Sequence, residues 1–244
     1  MSLDSFLILF VAIFTVAFLY SSVGHAGASG YIAVMTLFGL SVAVIKPSAL
    51  VLNIAVACLT SYQFWKAGHF SWKLFFPFAM TSVPFAFLGG YITLPTLILK
   101  IILGVVLLYS ALRFMFRFQF ENVTVSPSKP IALSFGAIIG LISGITGVGG
   151  GIFLTPLLLL MKWAKTKTAA AVSAVFILVN SVAGIVGSLS NNQSLPLQLL
   201  PMMLAALCGG AIGSYYGSRK FSPLFIKKFL AVVLTIAGMK LMFT

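Results

Sequence analysis

The sequence predicts an all-α polytopic membrane protein made of two inverted five-segment repeats, and three observations carry that prediction. The composition fits lipid rather than water: of 244 residues, 61% are hydrophobic and 7% charged, against roughly 25% charged in a soluble domain. Ten apolar segments run along the chain, separated by short polar or glycine-rich stretches. The pattern of the first half also returns in the second at a fixed spacing.

In chain order the segments are 3–22, 31–45, 49–65, 74–94, 97–116, 131–143, 152–161, 169–189, 197–216 and 224–244. A crossing helix needs about 20 residues, so 152–161 is too short and 31–45 marginal. Both short segments follow glycine-rich breaks, Gly-His-Ala-Gly-Ala-Ser-Gly at 24–30 and Gly-Ile-Thr-Gly-Val-Gly-Gly-Gly at 144–151. Half-helices or re-entrant hairpins are expected there, because irregular backbone at membrane depth survives only against protein or a water-filled cavity. The first segment carries Asp4 and no basic flank, which marks a retained membrane segment rather than a cleaved signal.

Charge sets the expected topology. Place the N-terminus outside and let every segment change side. Lys66, Lys73, Arg113, Arg117, Lys129, Lys162, Lys165, Lys167, Arg219, Lys220, Lys227 and Lys228 then fall inside, and only Lys46, Lys100 and Lys240 outside. That bias is the positive-inside pattern. Basic residues clustered between apolar runs read as topology signals, so nucleic acid is not an expected partner.

The repeat is read at a spacing of 120. Gly24 pairs with Gly144, Gly27 with Gly147, Ile32 with Ile152, and Ala-Phe-Leu-Gly-Gly at 86–90 with Ala-Leu-Cys-Gly-Gly at 206–210. Near the ends the spacing becomes 127, where Arg-Phe-Met-Phe at 113–116 meets Lys-Leu-Met-Phe at 240–243. The expected organisation is a first repeat over 1–120, a cytoplasmic linker over 121–130 and a second repeat over 131–244. Five segments per half is an odd number, so the halves insert in opposite directions, the signature of secondary transporters when helices are broken. Lys66 and Lys73 lie in one inter-segment loop of the first half, while the corresponding stretch 190–196 carries no charge.

The candidate site follows from the breaks. Gly24, His25, Gly27, Ser29 and Gly30 lie in the first; Thr146, Gly147, Gly149, Gly150 and Gly151 lie in the second. A helix starting after each break offers unpaired N–H groups and the positive dipole end, which suits an anion near the midplane. The competing reading is close helix packing through small residues. The second break lacks the Lys-Ser/Thr of a nucleotide loop. Asn53, Thr60 and Ser61 on the third segment match Ser173, Asn180 and Ser181 on the eighth. They are either neutral donors to an oxyanion or interhelical hydrogen bonds worth about 0.6 kcal/mol each. Ser21, Ser22 and Ser143 precede the breaks as further donors. His25 reads as an anion or proton partner or as a structural histidine, and His69 as a loop residue. Lys46 is expected exposed or snorkelling at an outer mouth. Cys58 and Cys208 are expected as small buried hydrophobes, since neither belongs to a paired motif.

Only Asp4 and Glu121 are acidic. Without carboxylates in the predicted interior, cation carriage and proton pumping are disfavoured. Anion exit alone needs no coupling; anion uptake would need a coupling ion, such as Na⁺ held by carbonyls and hydroxyls at the breaks. No cofactor or metal motif is read, and an enzymatic role such as a thiol oxidoreductase, a purely structural subunit and an anion channel stand as other classes. A homo-oligomer is compatible with the sequence.

At the two glycine breaks, at Phe-Trp-Lys-Ala-Gly-His-Phe (64–70) and at Val-Asn-Ser-Val-Ala-Gly (179–184), the chain resembles the TauE/SafE family of membrane permeases. The resemblance spans nearly the whole chain. It implies movement of sulfur-containing anions, such as sulfite and organosulfonates, across the bacterial inner membrane. It also implies a polar site at Asn53, Asn180 and Ser181 beside the breaks. The first break is the poorer in glycine, so different roles are expected of the two.

Overall fold

A computed structural model describes residues 3–115, 125–191, 200–219, 234–236 and 238–243. Among them every regular element is helical. The order is α1 (Leu3–Ser22), α2 (Ala28–Leu37), α3 (Val42–Lys66), α4 (Trp72–Tyr91), α5 (Thr96–Met115), α6 (Lys129–Thr146), α7 (Gly151–Leu160), α8 (Thr166–Ser190) and α9 (Leu200–Arg219). A further apolar helix, Leu234–Phe243, follows. Among the described residues α1, α3, α4, α6 and α8 are long and apolar enough to cross a membrane. Arg117, positions 121–124 of the linker expected at 121–130 with Glu121 among them, Lys220, Lys227, Lys228 and much of the segment 224–244 lie outside the described residues.

One expected segment is divided. The stretch 31–45 is not a single element: α2 stops at Leu37, and Ile45 belongs to α3. The cause is local. Gly39 takes φ 75, its N–H reaches the Thr36 carbonyl at 2.9 Å, and the Leu40 N–H reaches Met35 at 3.1 Å. That pair of bonds is a Schellman stop. The short α7 ends the same way: Lys162 bonds to Leu159 at 3.1 Å and Trp163 to Leu158 at 2.9 Å. Here a lysine, at φ 54, takes the position that glycine holds after α2.

Small residues bring the long helices together. Gly136, Gly140 and Gly144 of α6 lie so close to the Phe78, Ser82 and Ala86 carbonyls of α4 that a Cβ would collide with backbone. Gly209, Gly213 and Gly217 of α9 stand likewise on Phe14, Phe18 and Ser22 of α1. Spacing by four keeps one face of each helix free of side chains, the small-residue packing of membrane helices. In both pairs residue numbers rise together, so the helices run parallel. The central pair differs. Leu50 of α3 meets Gly184 of α8, and Asn53 meets Ser181, so numbers rise on one helix as they fall on the other. The pair α3 and α8 is antiparallel.

The outer faces are apolar, as at Leu7, Ile8 and Val11 of α1 and Leu97, Ile98 and Ile101 of α5. Trp65 and Trp72 are exposed on either side of the 67–71 loop, next to Lys66 and Lys73, as expected of interface anchors. Both cysteines are exposed on their helices rather than buried. Packing explains it: the face of α9 turned to α1 is the Gly209, Gly213 and Gly217 row, and Cys208 precedes that row by one residue. On α3 the inward face is Val56, Ala57, Thr60, Ser61 and Phe64, which turns Cys58 outward.

Candidate functional site

The second break joins the end of α6 to the start of α7. Gly147, Gly149 and Gly150 all adopt left-handed backbone, at φ 77, 79 and 80. This conformation is costly for residues with a Cβ. Gly150 is the N-cap of α7 and has no side chain with which to cap it.

Side chains from α3, α6 and α8 surround this turn. The Asn53 amide donates to the Val148 carbonyl at 3.2 Å and to the Ser181 hydroxyl at 3.4 Å. A Cβ on Gly149 would stand 2.7 Å from Asn53 Nδ2 and 2.9 Å from Ser181 Oγ. Gly150 abuts Phe176 of α8 and Ser143 of α6. Asn180 donates to the Phe176 carbonyl at 2.8 Å. Thr146 turns back on its own helix, donating to Ile142 at 2.7 Å and accepting from the Val148 N–H at 3.4 Å. Asn53, Ser143, Asn180 and Ser181 are fully buried. Even so, Asn53 Oδ1, Asn180 Oδ1 and Ser143 Oγ have no hydrogen-bond partner among the described residues, and neither has Ser61 Oγ. Buried polar atoms of this kind are few in native proteins and call for an explanation.

Lys46 is not at an exposed mouth. It is 4% exposed, packs against Gly147 and donates to the Gly90 carbonyl at 3.4 Å, an oxygen shared with Ser188 at 3.1 Å. The reason is the split at Gly39: with α3 starting at Val42, Lys46 lies in its second turn, facing the second break.

The first break is arranged differently. The Gly24 and His25 N–H groups close the end of α1 on the Ser21 and Tyr20 carbonyls, at 3.1 and 3.0 Å. Gly24 lies against Ala170 of α8 and Gly30 against Val16 and Tyr20. Two tyrosines fill the space. Tyr31 donates to the Ala26 carbonyl at 2.7 Å, and the Tyr20 and Ser29 hydroxyls pair at 2.9 Å. Gly27, the left-handed N-cap of α2 at φ 110, faces the Tyr31 ring. Ser21, Ser22 and Thr60 bond to carbonyls of their own helices.

His25 extends from this break into the second half. Its Nε2 lies 3.2 Å from Thr155 Oγ1 on α7, and Thr155 donates to Ser173 of α8 at 2.7 Å. The His25 Nδ1 lies 3.3 Å from the Val23 carbonyl, so the tautomer sets which ring nitrogen donates. The candidate residues thus gather in two groups along α8, one at Ser173 and one at Ser181. Eight residues of helix separate them, about 12 Å.

Sequence reasoning missed Thr155 and the inward Lys46. Thr155 has no counterpart in the repeat, since the position 120 residues earlier is Met35. Its signal was a lone hydroxyl in an otherwise apolar half-helix.

Residues 9–241 match the family described as Sulfite exporter TauE/SafE. The chain belongs to this family. It is 40% identical over 237 residues to the probable membrane transporter protein y4hK of Sinorhizobium fredii, covering 95% of this chain and 96% of that one. It is 25% identical over 189 residues to the probable membrane transporter protein MJ0441 of Methanocaldococcus jannaschii, covering 71% and 69%. With YunE of Bacillus subtilis, another probable membrane transporter protein, it shares 26% identity over 123 residues, half of this chain and 45% of the other. No solved structure gives a significant match. The chain is therefore a multi-pass membrane transporter of the TauE/SafE family, and its apolar outer faces are its bilayer surface.

Proposed function

We propose that this TauE/SafE transporter carries small sulfur-containing anions, sulfite or sulfonates, out across the bacterial inner membrane and binds them at the second break. The observation that carries this reading is the polar shell around Gly149. The uncapped start of α7 offers N–H groups and its positive dipole end, and Asn53, Ser143 and Ser181 stand at the turn before it, with Asn180 bonded to Phe176 beside them and no carboxylate there among the described residues. The buried Lys46 beside Gly147 adds a positive charge, of the sign that attracts an anion. The family's description as a sulfite exporter supports this substrate class and direction. An interior-negative potential favours exit of a monoanion by about 2.3 kcal/mol per 100 mV.

The reading includes inverted repeats with the N-terminus outside. Its support is that α3 and α8, related by the 120-residue spacing, lie antiparallel against each other, and that α1 packs on α9 as α6 packs on α4. A two-fold relation passing near Ala57 and Ile177 would account for both. Alternating access then comes from movement of one half against the other.

The test is thermal stability of the detergent-purified protein against sulfite, sulfate, thiosulfate, sulfonates, carboxylates and chloride. A ligand at 100 times its Kd adds about 2.7 kcal/mol. A shift selective for sulfur anions and lost in Asn180→Ala is expected. Stabilisation by carboxylates or chloride alone would sink the substrate assignment.

A further inference from the structure

The second break holds more acceptors than a simple anion needs. The orientation of both buried asparagines is decided by their partners. Asn53 faces the Val148 carbonyl and Asn180 the Phe176 carbonyl, and a carbonyl can only accept, so each amide must turn its nitrogen that way. The opposite atoms, Asn53 Oδ1 and Asn180 Oδ1, are therefore fixed as acceptors, and both are buried without a partner among the described residues. Asn53 meets Ser181, and Gly149 lies against both; Asn180 bonds one turn back to Phe176, whose ring abuts Gly150.

A fully deprotonated oxyanion brings only lone pairs to such oxygens, which repel it. A cation would satisfy them, but the start of α7 and Lys46 make the surroundings positive. Among the described residues no three His, Cys, Asp or Glu side chains gather to hold a metal. What satisfies both sides of the site is an anion that carries its own hydrogen-bond donor: the charged head on the N–H groups of α7, the donor on an asparagine oxygen.

We infer that this transporter selects donor-bearing sulfur anions, hydrogen sulfite and hydroxyl- or ammonium-bearing sulfonates, over sulfate and plain alkanesulfonates. The inference rests on the second break being the transport site. It goes further in dividing sulfur anions by whether they carry a proton to donate. A site built to bond a substrate hydroxyl discriminates strongly against the analogue lacking it, because the buried partner is left unpaired.

The experiment compares 2-hydroxyethanesulfonate with ethanesulfonate, which differ by one hydroxyl, by calorimetric binding to the purified full chain. Sulfite and sulfate are measured beside them across the pH range in which hydrogen sulfite loses its proton. The hydroxylated sulfonate should bind about a hundredfold tighter or more. Sulfite affinity should fall as hydrogen sulfite is deprotonated, and sulfate should stay weak throughout. Asn180→Leu, which keeps the volume and loses the acceptor, should shrink the sulfonate gap to under about threefold. Asn180→Asp, which keeps an acceptor, should preserve the order while weakening both ligands, and it serves as the folding control. Equal binding of the two sulfonates overturns the inference and leaves the anion site standing. Equal tightening of both by Na⁺, with no gap between them, assigns the oxygens to a cation and also overturns it. Binding of none of the four anions overturns the inference and the anion site together.

Discussion

The two glycine-rich breaks have similar sequences and opposite surroundings. In the first, the glycines meet aromatic and aliphatic side chains, and its polar groups are paired: Tyr20 with Ser29, Tyr31 with Ala26. In the second, Gly149 meets an amide and a hydroxyl, and buried oxygens around it remain unpartnered. The first packs, and the second is where we propose that the ligand binds. A glycine run in a membrane helix therefore has no fixed meaning. What stands opposite each missing Cβ decides between close packing and a binding turn.

The sharpest way to break this comparison is to add one methyl group to each break. Gly149→Ala forces an alanine into left-handed backbone, at roughly 1–2 kcal/mol, and drives its Cβ between Asn53 and Ser181. Sulfur-anion flux in proteoliposomes should fall by about a hundredfold, a loss on the scale of displaced site geometry, while the protein still purifies folded. Gly27→Ala puts a Cβ 2.9 Å from the Tyr31 ring. Overpacking of that kind costs about 1–3 kcal/mol, so melting temperature should drop and the ligand Kd of the surviving protein should hold. If Gly27→Ala abolishes binding while Gly149→Ala leaves it intact, the two roles are reversed.

A smaller effect separates the polar groups. Asn53→Ala removes the donor to Val148 and the acceptor beside α7, and anion binding should weaken about tenfold, the loss of one good hydrogen bond to a charged ligand. Ser29→Ala removes the hydrogen bond between the Ser29 and Tyr20 hydroxyls. It should lower stability by about 1 kcal/mol with binding unchanged. Calorimetry and thermal melts on the same preparations check both. Smaller still is the link between the two breaks through Thr155. A double-mutant cycle of His25→Ala with Thr155→Val should show a coupling of about 0.5–3 kcal/mol; additive effects would mean that the 3.2 Å contact carries nothing.

How much of this the sequence revealed depends on what encodes it. Apolar length and glycine position are local, so α1 and the Gly151 start of α7 were readable from composition. Gly39 was visible too, but its power to end α2 depends on the two backbone bonds it closes. Lys46 shows the stronger limit. Its fate was set by that turn and by Gly90, 44 residues away, and an isolated lysine near an apolar run carries no mark of such a partner. Asn53 was legible as a polar residue in an apolar helix. Its pairing with Val148, 95 residues on, was not, because it depends on how α3 and α8 cross. Thr155 was hidden for a different reason. The repeat was the guide to functional positions, and Thr155 breaks the repeat.

The smallest expected effect lies outside both breaks, in the loop between α3 and α4, and tests whether pH acts on the fold apart from the site. His69 is held below its usual range, first by burial and then by the positive charge of Lys167 at the start of α8. Its folded-state pKa is depressed, so the unfolded chain binds the proton more readily. Its share of stability is then fully present above about pH 6.5, the unfolded value, and is lost as pH falls through the folded pKa. The melting temperature of the wild-type protein should therefore sag on acidification from pH 7 to 5. His69→Gln, neutral at every pH, should flatten part of that slope, and Lys167→Gln should flatten less of it, because burial is the larger cause. If the slope is unchanged in His69→Gln, His69 contributes nothing to the acid sensitivity.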